Sequence, residues 1–169
     1  APLWSLYLEK VPMARQSAPV PSWAGRGFFA DTLIAVYSCR AYLDNRAQEC
    51  VDTWIADARA AGARVLIFCG SDEPGGEARH DVERGIVCLP VGDGYEDLPA
   101  KSLAMLRWIG RNCDEALVLK IDDDCYLDAE TFLTSLAYRR SHYFGRPLTA
   151  LAETFDRTWH QSRTRRDCA

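Results

Sequence analysis

Three successive carboxylates, Asp122, Asp123 and Asp124, follow an apolar stretch of the chain almost directly. Like charges placed side by side cost free energy unless a cation or fixed hydrogen-bond donors stabilise them. Asp122 and Asp124 are two residues apart, so in an extended backbone both would project to the same side, while Asp123 would face the other side. Two carboxylates on one edge suit Mg²⁺ or Mn²⁺, which commonly binds through one or two carboxylates together with substrate phosphates. The spacing therefore predicts a metal site at Asp122 and Asp124.

Two other interpretations of the acidic cluster stay open: a solvated turn that caps the next helix, and a phosphotransferase motif that forms an aspartyl phosphate. In such phosphotransferases the nucleophilic Asp usually follows the first strand, whereas three predicted strands precede this cluster. A calcium loop that began at Asp122 would place Leu127 at the required glycine and Leu133 at the required bidentate Glu, which excludes it. The segment EPGGEA lacks the GK[ST] ending of a P-loop.

The elements that must position the carboxylates can be predicted from hydrophobic periodicity. Four short, continuous apolar runs are typical of buried strands, and they span residues 32–38, 63–70, 86–91 and 115–121. Helical spacing of apolar residues occurs at 46–62, 98–112 and 128–140, the last with Asp128 as a candidate N-cap. Strands that alternate with helices predict an α/β fold with a mostly parallel sheet. Ligands of such sheets bind beyond the carboxyl ends of the strands, which is where the three aspartates lie.

Composition is that of an ordinary soluble globular domain, with 48% hydrophobic and 26% charged residues in a chain of 169. A formal net charge of −4 gives no general reason to bind nucleic acid or an anionic membrane. No stretch approaches the roughly 20 apolar residues needed to span a bilayer, so no transmembrane segment is predicted. Residues 1–27 hold four of the eight prolines and are interpreted as an arm or linker, which leaves residues 28–169 as the domain.

The seven cysteines show no CxxC pair and no Cys/His spacing typical of zinc. Cys69 and Cys88 lie inside apolar runs, where a thiol acts as a small hydrophobic side chain. Free thiols in a reducing compartment are the simpler interpretation, with one or two disulfides left open.

Residues 92–128 resemble the core signature of family 31 glycosyltransferases, the β-1,3-galactosyltransferase group. That family typically reads D-x-Y-x-N-L-x-x-K-x-x-x-x-x-x-W, followed by a strand that ends L-K-x-D-D-D-x-[FY]-[VL]. The matching positions are Asp93, Tyr95, Leu98, Lys101, Trp108, Leu119, Lys120, Asp122, Asp123 and Asp124. The segments NRAQECVDTW and HYFGRP resemble flanking motifs of the family, so the resemblance covers roughly residues 32–147. Val51 and Asp97 stand where the family usually has Arg and Asn.

The resemblance implies a GT-A, Rossmann-like fold and a metal-dependent, inverting hexosyltransferase. Such an enzyme transfers galactose or N-acetylhexosamine from a UDP-sugar donor to a hydroxyl of a glycan acceptor in a β-1,3 linkage. Mn²⁺ or Mg²⁺ would bridge the UDP diphosphate and Asp124, with Asp122 facing the ribose or the metal. The further candidates for contacts with the nucleotide or its phosphates are Ser38, Arg46, Lys101 and Asp123.

The resemblance further implies that the usual catalytic base and the acceptor-side segments lie beyond residue 169, so that the chain corresponds to the nucleotide-sugar part of a GT-A domain. The alternative function is a non-catalytic UDP-sugar-binding module or pseudo-enzyme of the same fold. The isolated chain is expected to bind nucleotide better than it transfers sugar, and self-association through exposed apolar surface is a possible consequence.

If the chain itself carried a base, the first candidates would be Glu153 and Asp156, which lie near Trp159 and His160. The expected compartment depends on the source: the cytoplasm for a bacterial protein, or the Golgi membrane or lumen for a eukaryotic one.

Overall fold

A computed structural model describes residues 29–145, which form one mostly parallel sheet with helices on both faces. The strands are β1 (Thr32–Tyr37), β2 (Arg64–Cys69), β3 (Arg79–Asp81), β4 (Ile86–Cys88) and β5 (Leu117–Asp122). Their order in the sheet is β3-β4-β2-β1-β5, and only the β3–β4 pairing is antiparallel. The predicted α/β class is therefore confirmed. The predicted arm at 1–27 and the candidates Glu153, Asp156, Trp159 and His160 lie outside the described residues.

The helices follow the predicted segments closely. They are α1 (Arg46–Cys50), a π-helical segment (Val51–Ile55), α2 (Ala56–Ala60), α3 (Leu98–Asn112) and α4 (Ala129–Ser135), with 3₁₀ turns at Arg40–Tyr42 and Ala137–Arg140. The side chain of Asp128 accepts a hydrogen bond of 2.9 Å from the N–H of Thr131, which confirms the predicted N-cap of α4. No helix among the described residues combines the length and the apolar character that a membrane crossing requires.

The core consists of two hydrophobic layers, one on each face of the sheet. Every residue of β1 is buried, because the strand lies between β2 and β5 and is covered on both faces. Ile34 belongs to the layer that includes Trp54 and Leu133, while Leu33 belongs to the opposite layer beneath Met105 of α3. A continuous apolar run is what a strand buried on both faces requires, which explains the sequence of β1.

One strand departs from the prediction. The apolar run at 86–91 forms a strand only from Ile86 to Cys88, and Pro90 follows it without an N–H for a further ladder bond. Residues 79–81 lie between the predicted strands at 63–70 and 86–91, where no strand is predicted, yet they pair with β4 as the antiparallel edge strand β3. Their pairing uses backbone groups, and their polar side chains carry no period-2 hydrophobic signal. The pattern of apolar residues therefore does not predict β3.

Strand β5 is an edge strand within the described part of the sheet and is covered on one face only. Its residues alternate between half-buried and exposed along the whole strand. Leu119 packs against the layer that contains α1 and α2, whereas Val118 on the other face is 44% exposed. An exposed apolar edge of this kind is the surface on which the predicted self-association would depend, and that association stays a prediction.

The loops at the carboxyl ends of β1, β2 and β4 meet at one partly buried carboxylate, that of Asp93. Its Oδ1 accepts hydrogen bonds of 2.7 Å from Lys101 Nζ and of 2.7 Å from the N–H of Gly70, and its Oδ2 accepts one of 2.7 Å from the N–H of Arg40. Lys101 Nζ also donates to the carbonyl oxygen of Ser38, at 2.8 Å. Four segments of the chain are thus tied to one ion pair.

Both members of this ion pair are taken largely out of water. The Lys101 side chain is 2% exposed and that of Asp93 is 17% exposed, so the amine does not reach along the helix into solvent as an amphipathic lysine would. Gly70 permits the close approach, since a Cβ there would lie 2.6 Å from Asp93 Oδ1 and 2.7 Å from the carbonyl oxygen of Gly92. A side chain at residue 70 would have to displace this carboxylate.

A pair of leucine substitutions tests the assignment of the core. Leu33→Ala removes a fully buried side chain beneath α3 and is expected to lower the free energy of unfolding by about 2–5 kcal/mol. The same substitution at Leu106, which is 57% exposed, is the matched control and should change it by less than about 0.5 kcal/mol. Urea unfolding followed by tryptophan fluorescence measures both, and equal losses would contradict the assignment.

A second pair of substitutions tests the Asp93–Lys101 ion pair. Asp93→Asn keeps the shape but leaves a buried ammonium group without a counter-charge, so the free energy of unfolding should fall by about 3–5 kcal/mol. Lys101→Met removes the buried charge and leaves Asp93 with its two backbone N–H donors, so its loss should be smaller. The same urea titrations rank the two variants, and a larger loss for Lys101→Met would refute the account.

Candidate functional site

The three aspartates lie where β5 ends and the chain turns. Asp122 is the last residue of β5, and the N–H of Asp123 donates to the carbonyl oxygen of Tyr37 at 3.1 Å, which extends the pairing with β1. The N–H of Cys125 then donates back to the carbonyl oxygen of Asp122 at 3.2 Å and closes a turn. The extended geometry assumed for a shared orientation of Asp122 and Asp124 therefore stops before Asp124, because a turn replaces the strand there.

Asp123 is held against the end of β1. Its Oδ2 accepts a hydrogen bond of 2.6 Å from the hydroxyl of Ser38, which is 4% exposed. The N–H of Ser38 donates to the carbonyl oxygen of Phe68 on β2, and its own carbonyl accepts from Lys101. The structure thus brings together the predicted site residues Ser38 and Asp123, while Lys101 contacts Ser38 and not the carboxylate turn itself.

Asp122 has a cationic neighbour from its own strand. Lys120 Nζ donates to Asp122 Oδ1 at 2.6 Å and lies 4.3 Å from the centre of the Tyr37 ring. Lys101 Nζ lies 4.5 Å from the same ring, so two ammonium groups contact one aromatic side chain. Burial raises the pKa of the Tyr37 hydroxyl, which remains a neutral donor to the carbonyl oxygen of Leu98 at 2.9 Å. Lys120 therefore partly balances the charge of the cluster.

An open pocket of about 380 Å³ lies beside the turn, on the side of α1. Its lining includes Arg46, Thr53, Trp54, Asp123, Asp124 and Cys125. Arg46 and Asp124 are exposed, and the Arg46 guanidinium lies 4.1 Å from the centre of the Tyr42 ring. The indole N–H of Trp54 is buried and has no hydrogen-bond partner among the described residues. The pocket therefore offers a cation and carboxylates to one ligand.

The carboxylates at this turn are of the chemical type that a hard cation takes as ligands. Within residues 29–145 no group of three or more His, Cys, Asp or Glu side chains has the arrangement of a metal site, which argues against an all-protein cage. Asp122 and Asp124 are exposed, and carboxylates are the ligands that Mg²⁺ or Mn²⁺ takes together with substrate phosphates. Burial, followed by the charge of Asp124, raises the pKa of the Cys125 thiol, and a neutral thiol is a poor ligand.

Two structural contributors to this region were not among the predicted site residues. Asp93 follows the third apolar run. The rule that ligands bind at the carboxyl ends of strands is the signal that could have identified it. Trp54 lies on the apolar face of the predicted helix at 46–62, and it is 1% exposed. Hydrophobic periodicity predicts the burial of its ring, but not that the residue lines a pocket.

Part of this chain is similar in sequence to known proteins. The galactosyltransferase family matches residues 52–164. The beta-1,3-galactosyltransferase 6 of Mus musculus is 36% identical over an alignment of 110 residues that covers 55% of this chain and 33% of the relative. The UDP-GalNAc:beta-1,3-N-acetylgalactosaminyltransferase 2 of Mus musculus is 40% identical over 58 residues, which cover 34% of this chain and 12% of that protein.

The human protein of the latter name is 39% identical over 54 residues, covering 32% of this chain and 11% of its own length. The comparison with solved structures gave no match. The chain spans a third or less of the length of these curated relatives. The family match, however, covers more than half of the chain and includes the three aspartates, so this chain belongs to the galactosyltransferase family.

Proposed function

We propose that this chain provides the UDP-sugar-binding part of a metal-dependent, inverting hexosyltransferase. The observation that carries the proposal is the carboxylate turn at the end of β5, which borders a pocket containing the Arg46 guanidinium. Membership of the galactosyltransferase family supports transfer of a hexose. The names of the relatives, a beta-1,3-galactosyltransferase and a UDP-GalNAc-dependent transferase, support galactose or N-acetylhexosamine as the sugar and a β-1,3 linkage to a glycan hydroxyl.

Asp122 and Asp124 would hold the metal, since both carboxylates are exposed at the end of the strand. A bound Mn²⁺ or Mg²⁺ would supply neutralisation of the negative charge that develops on the departing diphosphate. Lys120 Nζ lies 2.6 Å from Asp122 Oδ1. A bound cation would replace part of that contact. Asp123 has a different task, because the Ser38 hydroxyl already binds it and fixes the turn.

The remaining contacts to the donor would come from the helical side of the pocket. The Arg46 guanidinium is a permanent cation at its mouth and would bind the diphosphate oxygens through charge-assisted hydrogen bonds. Trp54 lines the same pocket, but its N–H is buried and is not offered to a ligand. Lys101 would act indirectly, because its amine binds the carbonyl oxygen of Ser38.

In an inverting transfer, the bond between the anomeric carbon and the UDP oxygen breaks while an acceptor hydroxyl oxygen bonds to the opposite face of that carbon. A base must take the proton of that hydroxyl, and no described residue is assigned this role. The described residues serve the donor side: they bind the diphosphate and offset its charge. The animal origin of the relatives supports the Golgi, rather than the cytoplasm, as the compartment of the reaction.

Loss of one metal-binding carboxylate should weaken the metal-dependent binding of UDP. Asp124→Asn is expected to weaken UDP binding in the presence of Mn²⁺ by roughly tenfold or more, because the cation loses one of its two protein ligands. The double variant Asp122→Asn with Asp124→Asn should abolish the metal-dependent part of binding. Calorimetric titration of UDP with Mn²⁺ and with a chelator measures both effects.

The control for these titrations is Asp57→Asn, which removes an exposed acid on α2 and should leave UDP affinity unchanged. Circular dichroism spectra must match those of the parent chain for all variants. Equal UDP affinity with Mn²⁺ and with chelator in the parent chain would refute the proposed metal dependence.

The role of Arg46 can be separated from that of the metal by a change of ligand. Arg46→Gln should weaken binding of UDP by roughly tenfold and leave binding of uridine nearly unchanged, because only the phosphates need the positive charge. Arg111→Gln, at the far end of α3, is the matched control and should affect neither ligand. Equal weakening of UDP and uridine by Arg46→Gln would assign this side chain to the nucleoside instead.

A further inference from the structure

Cys69 and Cys88 face each other across neighbouring strands of the sheet. They are paired in the parallel register of β2 and β4, and their sulfur atoms are 3.2 Å apart. Both are free thiols, of which Cys69 is fully buried and Cys88 is partly exposed. They are 19 residues apart in the chain, and nothing in the donor-binding role proposed above uses either sulfur.

The separation of the two residues suits a covalent link. Neighbouring strands place paired Cα atoms about 4.8 Å apart, which lies within the roughly 4.4–6.8 Å that disulfides span. The sulfurs would have to approach by only about 1 Å to reach bonding distance. Side-chain rotation about the Cα–Cβ bonds can supply such a movement without a shift of either strand.

Access to the pair is one-sided. Cys88 lines a surface pocket of about 240 Å³ whose wall includes Glu73, Arg79 and Pro90. Cys69 has no exposed surface and lies behind Cys88, at the last position of β2. A reagent from solvent can therefore reach Cys88 first, and Cys69 only through Cys88.

We propose that Cys69 and Cys88 form a reversible disulfide by exchange with a small-molecule disulfide such as oxidised glutathione. The Cys88 thiolate attacks one sulfur of oxidised glutathione, which forms a mixed disulfide and releases the first glutathione thiolate. The Cys69 thiolate then attacks the Cys88 sulfur and releases the second. The protons of the two protein thiols pass through solvent to the two glutathiones, so two thiols are oxidised and one glutathione disulfide is reduced.

The attack of Cys69 on the mixed disulfide is the step expected to limit the rate of disulfide formation. Burial, and then the adjacent Cys88 sulfur, raise the pKa of the Cys69 thiol far above its ordinary value, so little of its thiolate exists at neutral pH. Because the thiolate is the attacking species, closure of the disulfide should accelerate as pH rises. Reduction of the closed bond starts at Cys88, the sulfur that borders the pocket.

The bond would act on the loops that surround the Asp93 carboxylate. Gly70 follows Cys69 directly and binds Asp93, while Asp93 itself lies five residues after Cys88. β4 is a strand of only three residues, and a covalent link would fix its end to β2. Oxidation should therefore raise the midpoint of thermal unfolding, by roughly 10 °C on the basis of loop-closure entropy.

Tryptic mapping can detect this bond directly, because Arg79 and Arg84 lie between the two cysteines. The full chain is equilibrated in buffers of graded reduced and oxidised glutathione, alkylated and digested. Cleavage gives the peptides 65–79 and 85–101, each with a single cysteine. The expected product is these two peptides joined by a disulfide, lighter by two hydrogens than their sum, together with the rise in unfolding temperature.

Three variants establish the order of the steps. Cys69→Ala should accumulate glutathione on Cys88, since the resolving sulfur is missing, whereas Cys88→Ala should leave Cys69 unmodified. Cys113→Ala, at the end of α3, is the control and should keep the 69–88 link. The proposal is overturned if the parent chain yields only a mixed disulfide at Cys88, if other cysteines pair first, or if Cys88→Ala leaves Cys69 reactive. None of these outcomes depends on UDP binding, so they are independent of the proposed function.

Discussion

The ion pair between Asp93 and Lys101 is the interaction on which the loops at the carboxyl ends of the strands depend. A buried charge is stable only when its partner and its hydrogen bonds are all in place. Here the carboxylate accepts from the Lys101 amine and from the N–H groups of Gly70 and Arg40, and the amine also binds the Ser38 carbonyl. Three loops that follow three different strands are held by one carboxylate.

The position of the carboxylate turn depends on this pair through Ser38. The serine carbonyl is bound by Lys101 from within the protein, and its hydroxyl binds Asp123 at the surface. One residue at the end of β1 thus connects the buried ion pair to the acidic cluster. This connection explains why a lysine of the family signature can be important for the site while its amine is 2% exposed and out of reach of a ligand.

The chemistry of the site follows from the edge position of β5. Because α3 covers β1 and β2 but leaves one face of β5 open, Asp122 and Lys120 stand in solvent although they belong to the sheet. On the other side, α1 contributes Arg46 to the pocket that Asp123 and Asp124 also line. Charges of both signs therefore meet at an accessible edge of the sheet, where they remain partly hydrated and their desolvation cost stays low.

The amino-acid sequence by itself determined the four apolar strands, the helix at 98–112, the N-cap Asp128 and the place of the three aspartates at a strand end. These features are local, since the period of hydrophobic residues reflects which faces are buried and capping acts within one turn. Only the tertiary structure decided the strand order, the polar edge strand β3, the ion pair at Asp93 and the contact between Cys69 and Cys88. The pairing of β1 with β5 and the contacts of Asp93 with Gly70 and Arg40 join segments that are 23 or more residues apart in the chain. β3 is stabilised by backbone pairing with β4, and Cys69 meets Cys88 because β2 and β4 are neighbours in the sheet. A hydrophobic period reports which faces are buried, and it does not report which segments become neighbours.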